Sequence, residues 1–156
     1  MLKFRSCLAF CIAIAIFLGF GEIAGAFSWW FSKIPQSDVA SVYIEKSSQL
    51  VDSLHAKWRN GIFEPLGDEF TLDMQESLSP ELQKQSFEQI RAIFGDYQGM
   101  TFVEALTAGF LIPRGTVYRF KGIYPLTSAQ PEIRVVFDTA GKVSGLWLKP
   151  WKDEMQ

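Results

Sequence analysis

The chain's one histidine is the first residue whose type and setting suggest chemistry. His55 follows Asp52 by three positions, and on a helix this spacing puts both side chains on one face, where the carboxylate can orient the imidazole as a general base. Acid–base catalysis also needs a positioned nucleophile or electrophile, and the sequence shows none beside this pair. We therefore interpret His55 as a half-exposed helix residue beside a charge and predict no catalytic site. Asp52 and His55 are the candidate acid–base residues of an alternative hypothesis, in which the protein is an enzyme.

Four acidic residues follow one another closely in the middle of the chain. Oxygen ligands of this kind bind calcium or magnesium, but the run lacks the Asp-x-Asp-x-Asp-Gly spacing of a dedicated calcium loop. A solvated helical face explains the pattern equally well. We predict no metal site and no cofactor at these residues, which are Asp68, Glu69, Asp73 and Glu76.

Aromatic residues recur near the predicted sheet and suggest an apolar pocket. Three of them alternate along one predicted strand, and two tryptophans are expected near the same core. An aromatic-lined mouth can hold a small apolar ligand, but aromatic residues on a sheet that packs on helices are first of all core residues. Both interpretations stay open for Trp58, Tyr118, Phe120, Tyr124 and Trp147.

The composition limits the classes of function. The chain has 156 residues, 48% of them hydrophobic, and a net charge of −2, which suits one domain plus a targeting segment. Charges of both signs are mixed without a basic stripe, so nucleic acid is not an expected partner. Both cysteines, Cys7 and Cys11, lie in the first apolar run. The rest of the chain therefore has no cysteine nucleophile, no disulfide and no Cys/His zinc site.

Residues 1–26 have the layout of a secretory signal peptide. Lys3 and Arg5 precede an uncharged apolar segment over residues 7–20, and Ala24-Gly25-Ala26 is a small-x-small cleavage site. We predict cleavage after Ala26 and export to the periplasm or the cell exterior. The alternative is an uncleaved anchor in the inner membrane that extends to residue 31, although the uncharged core is shorter than the ~20 residues that a span needs.

Three helices are predicted after a tether over residues 27–37. The first starts with Ser37 or Asp38 as its N-cap and stops at Asn60-Gly61. Its apolar residues lie three or four apart along one face. The second covers residues 62–78 and contains a proline and a glycine, so it is expected to be bent or short. The third starts at Ser79, which is followed by the proline typical of a first helical turn.

Beyond Gly99 the hydrophobic period changes to two, which is typical of strands. Residues 100–107 and 116–124 are two strand candidates, and a hairpin over residues 132–148 supplies two more. Helices followed by a run of strands predict an α+β domain over residues 38–150, in which three N-terminal helices pack on a four-stranded antiparallel sheet. Residues 151–156 form a tail.

The hairpin decides which residues face the helices. Gly141 in its turn is expected at positive φ. The predicted opposite pairs are Phe137 with Val143, Val135 with Gly145, and Ile133 with Trp147. This register directs an apolar face, including Trp147, towards the core and leaves Val136, Leu146 and Leu148 on the outer face of the sheet.

Two apolar surfaces are expected to contact something. Val136, Leu146 and Leu148 occupy positions where a solvated sheet would carry polar residues. We predict a homodimer there, with Trp151 and the tether as the alternative, intramolecular cover. The loop between the first two strand candidates carries a second surface, which folds back on the core, meets a partner or dips into a membrane surface. Its residues are Phe110, Leu111 and Ile112.

Several short motifs together carry a family resemblance. They are Asn60-Gly61-Ile62-Phe63, Leu78-Ser79-Pro80-Glu81-Leu82, Phe94-Gly95 and Val136-Phe137-Asp138-x-x-Gly141-Lys142-Val143-x-Gly145-Leu146. Over residues 38–150 the chain resembles the bacterial domain of unknown function family 3887. That family is similar to the nuclear-transport-factor-like cone folds, so the resemblance implies a strongly curved sheet around the helices and no established activity. Some members are joined to an α/β serine hydrolase, but this chain has no Gly-x-Ser-x-Gly elbow.

The sequence predicts an exported, non-enzymatic binding or assembly module of the cell envelope, with an envelope protein or a small apolar ligand as partner. The alternative is a small hydrolase, lyase or isomerase that uses the cone cavity, with His55, Asp52 or a tyrosine as acid–base group. A cavity in which His55 meets a second titratable group would favour the enzyme. A cavity filled by phenylalanine and tryptophan would favour binding or assembly.

Overall fold

The computed structural model describes residues 31–108, 115–127 and 130–152. Three sequence predictions lie outside these ranges: the signal peptide with its cleavage point, the first four residues of the tether, and the apolar loop over residues 110–112. Within the described ranges, no helix is both long enough and apolar enough to cross a membrane.

Three α-helices and five β-strands make up the described part of the domain. The helices are α1 (Ser41–Arg59), α2 (Leu72–Ser77) and α3 (Pro80–Phe94). The strands are β1 (Phe31–Lys33), β2 (Gly99–Ala108), β3 (Gly115–Ile123), β4 (Pro131–Asp138) and β5 (Val143–Pro150). All neighbouring strands are antiparallel and form one open sheet in the order β1-β2-β3-β4-β5.

The predicted α+β class is confirmed, but the predicted number of four strands was wrong. The additional strand is β1, which precedes the helices and pairs with the end of β2, so that Phe31 lies opposite Ala108 and Lys33 opposite Leu106. Three residues are too few to show a two-residue period, so the sequence pattern alone does not separate such a strand from a linker.

Local sequence explains most of the helix boundaries. The Ser79 hydroxyl accepts the Leu82 N–H at 3.3 Å, and Gly95 ends α3 with a φ of 86°. The predicted start of α1 was early, because Gln36–Asp38 forms a separate 3₁₀ turn and α1 begins at Ser41 without a side-chain cap. Of the predicted second helix only α2 is helical, as expected for a segment that contains a proline and a glycine.

The helices pack on one face of the sheet and form the main core with it. Val51, Leu54 and Trp58 of α1 are buried there, which agrees with their helical spacing. The strand residues in this core are Ala105, Tyr118, Phe120, Ile133, Val135, Phe137 and Val143. Aromatic and aliphatic side chains therefore occupy the face of the sheet that a ligand cavity would need.

The hairpin turn between β4 and β5 forms as predicted. Gly141 has a φ of 76°, and the Asp138 carboxylate accepts the backbone N–H groups of Ala140 and Lys142 at 2.9 and 2.8 Å. Asp138 N–H also donates to the Lys142 carbonyl at 2.9 Å. A side-chain acceptor and a glycine at positive φ together close this turn.

A bulge next to the turn changes the register of β5. The predicted pair Phe137 with Val143 is present, but the register then shifts by one residue. The observed pairs are Val136 with Gly145, Val135 with Leu146, Arg134 with Trp147, and Ile133 with Leu148. Because strand residues alternate between the two faces, one extra residue moves Leu146 and Leu148 to the core face and Trp147 to the outer face. The predicted faces of these three residues were therefore wrong.

Candidate functional site

His55 lies inside the protein, not at the half-exposed position that its sequence predicts. The side chain is 7% exposed and stacks on Tyr97 with ring centres 4.2 Å apart, while Trp58 approaches its edge at 5.2 Å. Burial, and secondarily the nearby Arg59, lowers the pKa of His55 to about 4. The imidazole is therefore neutral at pH 7.

Asp52 does not orient His55, because the Asp52 carboxylate is hydrogen-bonded to Tyr97. The Tyr97 hydroxyl donates to Asp52 Oδ1 at 2.7 Å. Burial and this hydrogen bond raise the pKa of Tyr97 well above its usual value. The carboxylate lies at the surface and the imidazole in the interior, so the predicted base and its orienting group are separated by the tyrosine that stacks on the base.

A small cavity lies between α1, α3 and β5. It measures about 50 Å³. Its walls are formed by Val51, Leu54, His55, Trp58, Leu78, Ser86, Ile90, Ile133, Leu146, Trp147 and Leu148. Ser86 is 3% exposed, and its hydroxyl has no hydrogen-bond partner among the described residues. Since buried hydroxyls are normally bonded, Ser86 is the polar group in this cavity that is able to take a further hydrogen-bond partner.

Sequence reasoning did not single out Ser86. The signal that would have found it is its position between Leu82 and Ile90, four residues from each on the apolar face of α3. A serine in such a stripe is directed to the core with a polar group that needs a partner. The cavity therefore contains two polar side chains, Ser86 and the neutral His55, among apolar walls.

The five predicted pocket aromatics do not converge on one cavity. Tyr118 and Phe120 are packed in the main core, and Trp58 donates its indole N–H to Gln83 Oε1 at 2.9 Å. Tyr124 is buried against His55 and Tyr97, and its hydroxyl has no partner among the described residues. Of the predicted set, only the two tryptophans, Trp58 and Trp147, line the small cavity.

A second, larger depression is a polar groove between α1 and the chain around residues 64–70. It measures about 310 Å³ and is lined by none of the five aromatic residues predicted for a ligand pocket, while Glu69 of the acidic run lies in its wall. Lys57 and Glu64 in its wall form an exposed ion pair at 3.0 Å. The predicted acidic run lies at the surface, and in the described ranges no three His, Cys, Asp or Glu side chains come together as metal ligands do.

The outer face of the sheet carries a buried ion network. Arg119 and Glu132 are both fully buried, and Arg119 Nε donates to Glu132 Oε1 at 2.7 Å. Arg119 also pairs with Glu104, and Arg134 with Glu132, while Lys33 Nζ lies 2.9 Å from Glu104 Oε2. Burial alone would raise the pKa of Glu132, but hydrogen bonds from Arg119 and Arg134 outweigh burial and lower it.

The end of the described chain covers this ion network. The Trp151 ring centre lies 4.5 Å from the Arg119 guanidinium carbon and 4.8 Å from Lys121 Nζ, in cation–π geometry. Arg119 Nη2 donates to the Lys152 carbonyl at 2.6 Å. Trp151 is therefore in the covering position that the sequence offers as an alternative to a dimer.

The three strand residues predicted to form one partner surface lie on different faces of the sheet. Val136 is buried in an outer-face cluster with Leu106 and Val117, against which Phe31 and Trp147 pack. Leu146 and Leu148 belong instead to the core side of the sheet. The predicted patch of three apolar residues therefore does not form, and the tether and Trp147 supply the apolar cover around Val136.

Comparisons of the chain with models of protein families, with curated proteins and with solved structures find no match.

Proposed function

We propose that this protein is an exported, non-enzymatic binding or assembly module of the cell envelope. The observation that carries the proposal is the filling of the helix-facing side of the sheet by its own aromatic and aliphatic residues. Small-molecule sites measure roughly 300–1,000 Å³ and are lined mainly by apolar side chains. The cavity beside His55 measures about 50 Å³, and the groove of about 310 Å³ is at the lower limit of that range and has an exposed ion pair in its wall. A surface that receives a protein partner fits this interior better than a chamber that encloses a substrate.

The resemblance to the domain of unknown function family 3887, with its cone-like sheet, is part of this proposal. It rests on the sequence motifs, and the order of α1, α2 and α3 before β2 to β5 is compatible with it. Export rests on the charge and hydropathy pattern of residues 1–26. A homodimer is a second possible form of assembly, although the three residues predicted to form its interface do not lie on one face of the sheet.

Cross-linking in the native envelope tests the binding function. The tagged full-length chain and an Asp52→Asn variant would be cross-linked in intact cells, purified and analysed by mass spectrometry. We expect one protein to be recovered with both forms in comparable amount, because Asp52 bonds Tyr97 and does not line the cavity. Absence of any protein partner, together with a small molecule that only the wild-type chain converts, would refute the proposal.

One observation supports the alternative of a small acid–base enzyme. The neutral His55 and the unpartnered Ser86 hydroxyl line the same cavity, which is the pairing of groups that nucleophilic catalysis uses. Against it, Asp52 is engaged by Tyr97. A Ser86→Ala variant separates the two: an enzyme would lose turnover of any substrate found, while a binding module would keep its cross-linked partner.

A further inference from the structure

Among the described residues the sheet ends at β5, and most of the open edge of that strand has no partner there. β5 pairs with β4 on one side. On its other side, Val143 N–H donates to the Glu69 carbonyl and the Val143 carbonyl accepts the Thr71 N–H. In the described part of the chain, no backbone group bonds to this edge over residues 144–150. Such an edge presents unpaired donors and acceptors and is a template for another strand.

The cavity beside His55 is lined in part by this same strand. Leu146, Trp147 and Leu148 all line it, yet consecutive strand residues point to opposite faces. A cavity that touches three consecutive strand residues has the backbone of that strand in its wall. A side chain on the core face of a strand added at β5 would lie next to this cavity, between β5 and the two helices.

The size and polarity of the cavity specify that side chain. Since about 10–15 Å³ of such space holds one water-sized group, the cavity of about 50 Å³ accepts about three or four heavy atoms. Threonine has this size. Its methyl group suits the leucine and isoleucine walls, and its hydroxyl can bond the orphan Ser86 Oγ.

Among the described residues, the outer face of the sheet next to this edge carries more positive than negative charge. On the outer face Lys121 lies opposite Glu132, and Glu132 opposite Lys149. Glu132 is already bonded to Arg119 and Arg134. Lys149 makes no ion pair with any described residue, and burial, then the nearby Arg134, lowers its pKa to about 8. An acidic residue on the next strand would supply the missing counter-charge.

We propose that the open edge of β5 binds an extended peptide segment of a protein partner as a sixth strand, with a threonine-sized side chain in the cavity and an acidic side chain beside Lys149. The two side chains alternate because successive strand residues face opposite sides. Backbone pairing supplies affinity and the alternating side chains supply selectivity, as in other cases of strand addition. This inference rests on the proposed binding function and names the class of partner and its site.

Selection from phage-displayed random dodecapeptides on the full-length chain tests the proposal. We expect the enriched peptides to alternate acidic residues with threonine, serine or valine, and to lack proline within the alternating stretch. Lys149→Glu should weaken binding of a synthesised acidic peptide roughly tenfold, since facing like charges repel. Lys84→Glu, which makes the same charge change at an exposed position of α3, should leave affinity within about twofold.

Two further measurements place the peptide on the structure. Nitrogen–proton NMR of the wild-type chain should show the amides of residues 144–149 shifted and protected from exchange by the peptide. Ser86→Ala should remove the preference for threonine over valine. No enrichment, enrichment without alternation, or shifts confined to another surface would overturn the edge site. The envelope cross-linking experiment would still report a partner bound elsewhere, so failure of the edge and failure of the binding function are distinguishable.

Discussion

At the scale of single residues, His55 and Tyr97 form a stacked pair in which the imidazole is buried. Because the pKa of His55 in the folded protein is lowered to about 4, the unfolded chain, with a pKa of about 6.5, takes up the proton first. The stabilising contribution is therefore complete above about pH 6.5 and is lost as the pH falls towards 4. His55 therefore has a structural role, and it stabilises the fold only while its imidazole is neutral.

The expected result is a loss of about 2 kcal/mol in the free energy of unfolding between pH 7 and 5. Urea unfolding monitored by circular dichroism measures it. His55→Phe keeps an aromatic ring on Tyr97 but cannot titrate, so its free energy of unfolding should change much less over that interval. Parallel pH profiles for the two proteins would contradict a buried neutral histidine.

Arg119 and Glu132 are fully buried charges whose partners are each other and their neighbours. Glu132→Leu should cost about 3–5 kcal/mol in unfolding free energy, because it leaves part of a buried guanidinium unpaired. The double variant Arg119→Met with Glu132→Leu should cost less than the sum of the two single changes. Denaturant titrations of all four proteins give this coupling.

The matched control for the ion network is an exposed pair. Lys57 Nζ lies 3.0 Å from Glu64 Oε2, which is similar to the separation in the buried pair, but both side chains are at least half exposed. Lys57→Ala should therefore change stability by less than about 1 kcal/mol. Equal losses at the exposed and buried pairs would mean that burial is not the source of the Arg119 effect.

At the scale of elements, the turn between β4 and β5 depends on Gly141. A side chain at its φ of 76° is strained, and a Cβ there would also lie 2.9 Å from the Tyr43 hydroxyl. Gly141→Val should lower stability by more than about 1 kcal/mol, because a β-branched residue resists this region. Ala140→Val, in the same exposed turn, is the control and should have a small effect. An unchanged thermal midpoint for Gly141→Val would remove the turn assignment.

The bulge in the hairpin gives different surroundings to the two tryptophans that line the small cavity. Trp58 is 5% exposed in the main core, whereas Trp147 is half-buried on the outer face, where its ring covers Gly145. Trp58→Ala should cost about 3–5 kcal/mol, and Trp147→Ala less than about 2 kcal/mol. Chemical denaturation of the two variants compares them directly. A larger loss for Trp147 would contradict the observed register.

At the scale of the whole molecule, export is the prediction with the widest consequence. A basic end, an uncharged apolar segment and the small residues up to Ala26 predict removal of the first 26 residues. Intact-mass analysis of the protein from the cell envelope should find a chain that begins at Phe27. A species that retains residues 1–26 would favour the membrane anchor, and then the module would act at the inner membrane.

Interactions between sequence neighbours were predictable. The cap and proline at the start of α3, the glycine that ends it, and the Asp138–Gly141 turn all depend on residues within a few positions of one another. The same is true of the change from helical to strand period, which determined the α+β class. These features follow from the sequence because backbone geometry and local hydrogen bonds are sufficient to produce them.

The tertiary structure decided what depends on distant residues. Pairing of Phe31–Lys33 with β2 added the fifth strand, and one bulge residue exchanged the faces of Trp147 and its two leucine neighbours. Burial of His55 required Tyr97, which lies on another segment, and the cavity with Ser86 exists only where α1, α3 and β5 meet. No local period encodes these contacts, because each is set by packing between segments that are far apart in the chain.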